Sequence, residues 1–160
     1  MCYNLCNKKG SSMNSTLPRW EELPKLDLYV DQVLTLINPY CESVSVKPLT
    51  KAMINNYVKL GLIPPPVKKR YQRLHIAYLF VIVFLKEGFD ISLIRQGIIT
   101  ETKRLGLKEA YNAFLEALAY ALEAPQNTVV YQDGISPIMF HATQCIAHQM
   151  KAQQWINSSK

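Results

Sequence analysis

A run of twelve residues, LHIAYLFVIVFL at positions 74–85, constrains the fold of this chain more than any other feature. Its side chains are apolar all around a helical axis, which predicts a helix over 73–87 that other elements bury on every side. The run is too short to cross a bilayer, which takes about 20 residues. Val81, Ile82 and Val83 would also suit a strand, but the length of the run and Gly88 after it favour the helix.

Apolar periodicity and capping residues predict two helices before this central one. The first begins near Asp27, and Pro39 closes it. The second covers 51–60, with Thr50 as its N-cap and Gly61 as the residue that stops it.

Three more helices are predicted after the central one. They cover 92–105, capped by Ser92 and ended by Gly106, then 107–124, and finally a segment from Ser136-Pro137 to about Asn157. Residues 126–134 hold either a short strand or only a loop. The sequence therefore predicts an all-α fold, preceded by a polar tail over 1–16 that is expected to be disordered. Met13 is an alternative start, so it is left open whether residues 1–12 belong to the native chain.

The cysteines and the N-terminus favour a reduced, cytoplasmic protein. The four cysteines have neither the density nor the paired spacing of a disulfide scaffold. The N-terminal residues do not have the pattern of a signal peptide. We therefore expect no membrane segment and a cytoplasmic location.

The distribution of charge is the strongest functional signal in the sequence. The formal net charge is +6, yet residues 43–86 contain no Asp or Glu and eight of the 18 basic residues. The rest of the chain is then slightly acidic, so the positive field is local. A local positive field indicates a binding face for phosphates, although a run of basic residues is also typical of an ordinary solvated surface.

The second helix and the turn after it carry the candidate contacts. Lys51, Asn55 and Lys59 recur at i, i+4 and i+8, so they share one side of that helix. Asparagine can bond adenine in the major groove, whereas lysine neutralises phosphates. The candidate DNA-binding residues are Lys51, Asn55, Asn56, Lys59, Lys68, Lys69, Arg70, Tyr71 and Arg73. For the two asparagines a plain surface position is the alternative, and for Tyr57 a core position is favoured.

The segments MINNYVKLGLIPPP, KKRYQRLHIAYL and KEGFDISLIRQGI occur in an order that resembles the winged helix-turn-helix of MerR-type regulators. The segment LTKAMINNYVKLGLIPPPVKKRYQRLHIAYL, with LPRWEELPKLDLYVDQV upstream, looks like the uncharacterised bacterial family called domain of unknown function 1836. That second resemblance covers about residues 17–157 and implies no activity. The MerR resemblance implies a winged helix-turn-helix over 17–106, with helix 51–60 in the major groove and a short basic wing over 64–71 on phosphates.

The leading hypothesis is a sequence-specific DNA-binding transcriptional regulator whose partner is double-stranded DNA. Residues 107–160 are then a C-terminal helical region packed on the DNA-binding region, and we expect a homodimer to form through it. The alternative for these last helices is that they only cover the apolar run. Operator, effector ligand and direction of regulation are left open.

Two alternative functions also fit parts of the sequence. The first is a non-enzymatic protein-interaction domain on the same scaffold. The second is a metal-dependent enzyme, because His141, Cys145 and His148 are spaced so that they could ligate zinc from one side of a helix. No fourth ligand is evident there, and no phosphate loop, nucleophile elbow or paired-carboxylate motif occurs. We therefore expect no enzyme activity, no metal and no cofactor, and a hydrogen-bonded, partly buried His75.

Overall fold

The computed structural model describes residues 17–124 and 131–159. Six α-helices follow a short 3-10 turn at Trp20–Glu22: α1 Val30–Ser43, α2 Lys51–Lys59, α3 Arg73–Leu85, α4 Ile91–Leu105, α5 Leu107–Glu123 and α6 Pro137–Ser158. Within these residues the only β-type pairing is two isolated bridges. The predicted all-α fold class is therefore confirmed. The predicted tail over 1–16 and most of the predicted strand or loop over 126–134 lie outside the described residues.

Helix α3 lies at the centre of the molecule. Nine of its 13 residues are buried, and α1, α5 and α6 pack against it. The β-branched residues of the apolar run lie in the helix because burial from several sides outweighs their modest preference for strands. The helix predicted from this run is confirmed, with an end two residues earlier than expected.

Helix α2 has the two ends that the sequence predicts. The Thr50 hydroxyl accepts a hydrogen bond from the Met53 N–H at 3.2 Å. At the other end, Gly61 adopts a φ of 66°, its N–H bonds the Val58 carbonyl, and the Leu62 N–H bonds the Tyr57 carbonyl at 2.9 Å. This pair of bonds is the Schellman arrangement, which needs a left-handed residue and therefore favours glycine.

Two residues that the sequence assigned to helix ends do not have the predicted role. Pro39 does not close α1, which continues to Ser43 because Cys41 is buried and Tyr40 packs edge-on against Phe80. This packing outweighs the backbone hydrogen bond that a proline lacks. Helix α4 is capped by Asp90 instead of Ser92, since the Asp90 carboxylate accepts the Leu93 N–H at 2.9 Å.

The loop between α1 and α2 is fixed by one asparagine. The side-chain amide of Asn38 donates to the Leu49 carbonyl at 3.0 Å, and its oxygen accepts the Leu49 N–H at 2.8 Å. The Leu49 side chain is buried. Both backbone groups just before Thr50 are thus paired with α1, and this pairing sets where α2 begins.

Helices α5 and α6 cover α3 with one side each. Phe114 and Leu118 of α5 and Ile146 and Met150 of α6 are buried in the same core as α3. Beyond Met150 no residue of α6 is buried, and Trp155 and Ile156 are exposed. No helix in the described ranges is long and apolar enough to cross a membrane.

Replacing Asn38 by alanine should lower the free energy of unfolding by about 1–3 kcal/mol, because both polar groups of Leu49 lose their partner. Asn56→Ala is the matched control, since this asparagine is exposed on α2 and its replacement should change stability by less than about 0.5 kcal/mol. Urea unfolding followed by circular dichroism measures both. Equal effects of the two substitutions would contradict the role of Asn38.

Candidate nucleic-acid interface

The outer side of α2 carries the polar residues that the sequence singled out. Lys51, Asn55, Asn56 and Lys59 are all exposed, while Ile54 and Tyr57 on the opposite side are buried. The spacing follows from helical geometry, because residues four apart lie on the same side. The structure therefore places Lys51, Asn55 and Lys59 on one solvent-facing strip, with Asn56 exposed beside it.

The segment after α2 forms a small turn, here called the basic hairpin and defined as residues 67–70. The N–H groups and carbonyls of Val67 and Arg70 bond each other at 2.9 and 3.2 Å. Lys68 and Lys69 form the tip, with φ values of 49° and 61°. Two successive positive φ angles are the pattern of a type I′ turn, which normally prefers Asn-Gly. Both predicted lysines are exposed at the tip of the basic hairpin.

Arg70 is held on an exposed tyrosine that the sequence analysis did not single out. Its guanidinium lies 4.4 Å from the centre of the Tyr29 ring, and one of its nitrogens donates to the Tyr29 hydroxyl at 2.7 Å. Tyr29 is 41 positions earlier in the chain, and no short-range pattern indicates such a pair. The contact fixes the direction of the Arg70 side chain at the base of the basic hairpin.

Tyr71 and Arg73 point into the protein. The Tyr71 side chain is buried, and its backbone bonds Leu28 in both directions at 2.8 and 2.9 Å. The Arg73 guanidinium donates to the Leu23 carbonyl at 3.1 Å and lies over the Trp20 ring. These two candidates therefore anchor the basic hairpin and the start of α3 to the segment before α1.

His75 is buried in the first turn of α3. Its Nδ1 accepts the Gln72 N–H at 2.9 Å, so the ring hydrogen-bonds as expected, although burial is complete and not partial. Burial lowers the pKa of His75, because a charged imidazole would lose its hydration there. The neutral ring thus supports the junction between the basic hairpin and α3.

The exposed cations of this region have no acidic partner. Among the residues that the structure describes, ion pairs join Lys86 to Glu87, Arg104 to Glu101 and Lys108 to Glu21, and none of these involves a cation of α2 or the basic hairpin. Lys86 belongs to the acid-free window but points inward, where its amine donates to the Lys47 carbonyl and burial lowers its pKa. The cations of α2 and the basic hairpin thus keep their charge uncompensated within the described chain.

The distance between α2 and the basic hairpin is limited by the chain that joins them. Seven residue steps separate Gly61 from Lys68, so their α-carbons lie at most about 25 Å apart. One turn of the DNA duplex measures about 34 Å. The end of α2 and the tip of the basic hairpin therefore lie closer together than the length of one turn of a duplex.

Arg95 of α4 is a further cation near the end of α2 that the sequence analysis missed. Its guanidinium lies 3.7 Å from the position that a β-carbon on Gly61 would take, and the residue is exposed. It lies outside the acid-free window, so the charge pattern did not indicate it. Only the packing of α4 beside the end of α2 brings it there.

The candidate zinc ligands lie on α6, away from these elements in the chain. His141 is exposed and its Nε2 lies 2.9 Å from the Tyr131 hydroxyl oxygen, while Cys145 and His148 are also exposed. Across residues 17–124 and 131–159, no three His, Cys, Asp or Glu side chains are grouped so that they could hold a metal ion. Cys2 and Cys6 lie outside the described residues.

Comparison with known proteins gives one match. The model of the family described as Domain of unknown function (DUF1836) matches residues 18–114, more than half of the chain. The matched segment begins before α1 and ends inside α5, so it includes α2, the basic hairpin and α3. It confirms the family that the sequence indicated, over a shorter span than the expected 17–157. No curated protein and no solved structure matched the chain.

Arg73→Ala should lower the free energy of unfolding by about 1–3 kcal/mol, because the hydrogen bond to Leu23 and the packing on Trp20 are lost. Lys59→Ala removes an exposed cation of α2 and should change stability by less than about 0.5 kcal/mol. Urea unfolding measures the free energy of unfolding of both variants, and the two values are comparable if the m-values are equal. An Arg73→Ala variant as stable as Lys59→Ala would mean that the guanidinium does not anchor this junction.

Proposed function

The chain belongs to the DUF1836 family, and we propose that it is a sequence-specific DNA-binding transcriptional regulator. In this proposal α1 and α2 act as a MerR-like helix-turn-helix and the basic hairpin is its short wing. Helix α2 enters the major groove, and the basic hairpin contacts phosphates beside it. The double helix is the partner, and no chemical step is involved.

One observation supports the proposal above all: uncompensated cations are grouped on two exposed elements that a short segment joins, seven residue steps from Gly61 to Lys68. A surface that serves only for solubility is favoured by interspersed positive and negative charges, because cations grouped without anions repel one another. Binding a polyanion removes that repulsion and releases counterions. The absence of acids over residues 43–86 is therefore what a phosphate-binding surface requires.

The roles follow from side-chain chemistry. Asn55 and Asn56 each carry one donor and one acceptor that match the major-groove edge of adenine. Lys51 and Lys59 lie at the two ends of α2, where they can reach phosphates on either side of the groove. Buried Tyr71 is assigned a positioning role, as is Arg73, whose guanidinium points inward; contact with DNA is left to the exposed residues.

The backbone of the basic hairpin supports the same function. Lys68 and Lys69 both hold positive φ, which few residues other than glycine adopt. Asn-Gly would form this turn with less strain. Two lysines at a turn that disfavours them are consistent with a role for the two charges that outweighs the stability they cost.

Replacing both tip residues, Lys68→Asn and Lys69→Gly, keeps the turn and removes two charges. We expect weaker binding to DNA of every sequence, and a decrease of about two in the slope of log affinity against log salt. The free energy of unfolding should stay equal or rise, because Asn-Gly suits a type I′ turn. Fluorescence anisotropy with a duplex at several salt concentrations, together with urea unfolding, measures both effects.

The controls separate charge from sequence reading. Lys103→Asn removes an exposed cation of α4 outside the acid-free window and should leave the slope unchanged. Asn55→Ala should alter the sequences recovered from a randomised duplex pool without changing the slope. Binding that does not depend on salt, or no binding by folded protein at low salt, would refute the proposal. The second result would favour the protein-interaction alternative.

We also propose that the protein is a homodimer, since one short recognition helix makes few base contacts and such proteins pair across a two-fold axis. The buried sides of α5 and α6 are used to cover α3. The dimer contact is therefore assigned to apolar residues that α6 leaves exposed, chiefly Trp155 and Ile156, which are 67% and 62% exposed.

Light scattering should give the mass of two 18.3 kDa chains at micromolar concentration. Trp155→Ala should raise the dissociation constant of the dimer, because aromatic anchors contribute most at interfaces. Leu26→Ala, which removes an exposed side chain far from α6 in the chain, should not change it. A single-chain mass across the whole concentration range would contradict the dimer.

A further inference from the structure

A cleft between α3, α4, α5 and α6 lies outside the proposed interface. Its volume is about 450 Å³, within the range of about 300–1,000 Å³ that is typical of small-molecule sites. Helices wall it on several sides, including Val81 of α3, Phe114 of α5 and Ala142 of α6. Its size is that of a small molecule and not of a folded partner.

The lining of the cleft offers no unpaired charge. Glu101 is the only Asp, Glu, Lys or Arg side chain among the lining residues, and it is buried. One of its carboxylate oxygens accepts a hydrogen bond from the Arg104 guanidinium at 2.7 Å, and the other accepts one from the Ser136 hydroxyl at 2.6 Å. A charged occupant would therefore lose its hydration without gaining a counterion, which is unfavourable. An uncharged molecule fits this lining.

Polar groups of the lining are available to an occupant, and Tyr78 is the one on the central helix α3. Tyr78 of α3 is partly buried, and its hydroxyl makes no hydrogen bond within the described ranges of the chain. A tyrosine offers an apolar ring together with a hydroxyl that can donate or accept a hydrogen bond. A mostly apolar lining with a few polar groups suits a mainly apolar molecule that can form a hydrogen bond.

Gly97 is the second, independent observation. It lies inside α4, where glycine is less favourable than alanine, and it lines the cleft. A β-carbon added there would meet no atom within 4 Å, and its φ is not in the left-handed region. Neither packing nor backbone geometry in the described chain thus requires glycine. What the glycine provides is open space on the cleft side of α4.

We propose that this cleft binds one uncharged, mainly apolar small molecule that hydrogen-bonds Tyr78, and that Gly97 keeps the site open. Helix α4 also carries Arg95, which lies beside Gly61 at the end of α2. The occupied cleft therefore lies against the same helix that touches the candidate recognition element. The proposal concerns binding in the cleft and does not depend on DNA binding.

The test uses the full chain and two fluorescent probes with the same ring skeleton. Phenylnaphthylamine is neutral and should bind with one-to-one stoichiometry. Its sulfonated analogue should bind at least about tenfold more weakly, because no Lys or Arg side chain lines the cleft to pair with the sulfonate. Gly97→Phe should fill the cleft and reduce binding of the neutral probe at least about tenfold. The unfolding temperature of the Gly97→Phe variant should not fall, because glycine is the less favourable residue inside a helix.

Ile99→Phe is the matched control, because it places the same side chain on α4 at an exposed position that does not line the cleft. It should bind the neutral probe as the unmodified chain does. Absence of binding, equal binding by Gly97→Phe, or a preference for the sulfonated probe would each overturn the proposal. It would also be overturned if the probe dissociated a dimer, because the cleft would then be an interface between two copies.

Discussion

The burial of α3 is the constraint on which the other features depend. A helix that is apolar around its whole circumference has no side that can face water, so α1, α5 and α6 must pack on it. Each of those helices uses one side for this contact. The outer strip of α2, the tip of the basic hairpin and the end of α6 remain exposed. The candidate functional residues lie on surfaces that do not pack against the central helix.

The position of α2 follows from a small number of polar contacts around that core. Asn38 pairs with the residue before Thr50, and the Schellman bonds at Gly61 turn the chain sharply after Lys59. The reciprocal bonds between Leu28 and Tyr71 then hold the chain beyond the basic hairpin against the segment before α1. Each contact is internal, so the cations between them remain free for an anionic partner. Anchoring residues and candidate contact residues alternate along this part of the chain.

Features determined by neighbouring residues could be predicted from the sequence. Thr50, Gly61 and Ser136 cap or end the helices as expected, because capping depends on a few residues around one terminus. The roles predicted for Pro39 and Ser92 were wrong, because tertiary packing extends α1 past Pro39 and the Asp90 carboxylate caps α4. The pairs of Asn38 with Leu49, Arg70 with Tyr29 and Arg73 with Leu23 join distant segments, and no periodicity indicates them. The cleft could not be predicted either, since it depends on how four helices diverge.

The central claim is that α2 and the basic hairpin form one DNA-binding surface. Nuclear magnetic resonance titration of the labelled chain with a short random-sequence duplex at low salt tests it most directly. We expect the backbone amide signals of Lys51–Lys59 and residues 67–70 to shift together with one affinity, while those around Trp155 stay unchanged at a fixed protein concentration. Shifts confined to α6, or signals of α2 and the basic hairpin that do not move at saturating duplex, would contradict the account.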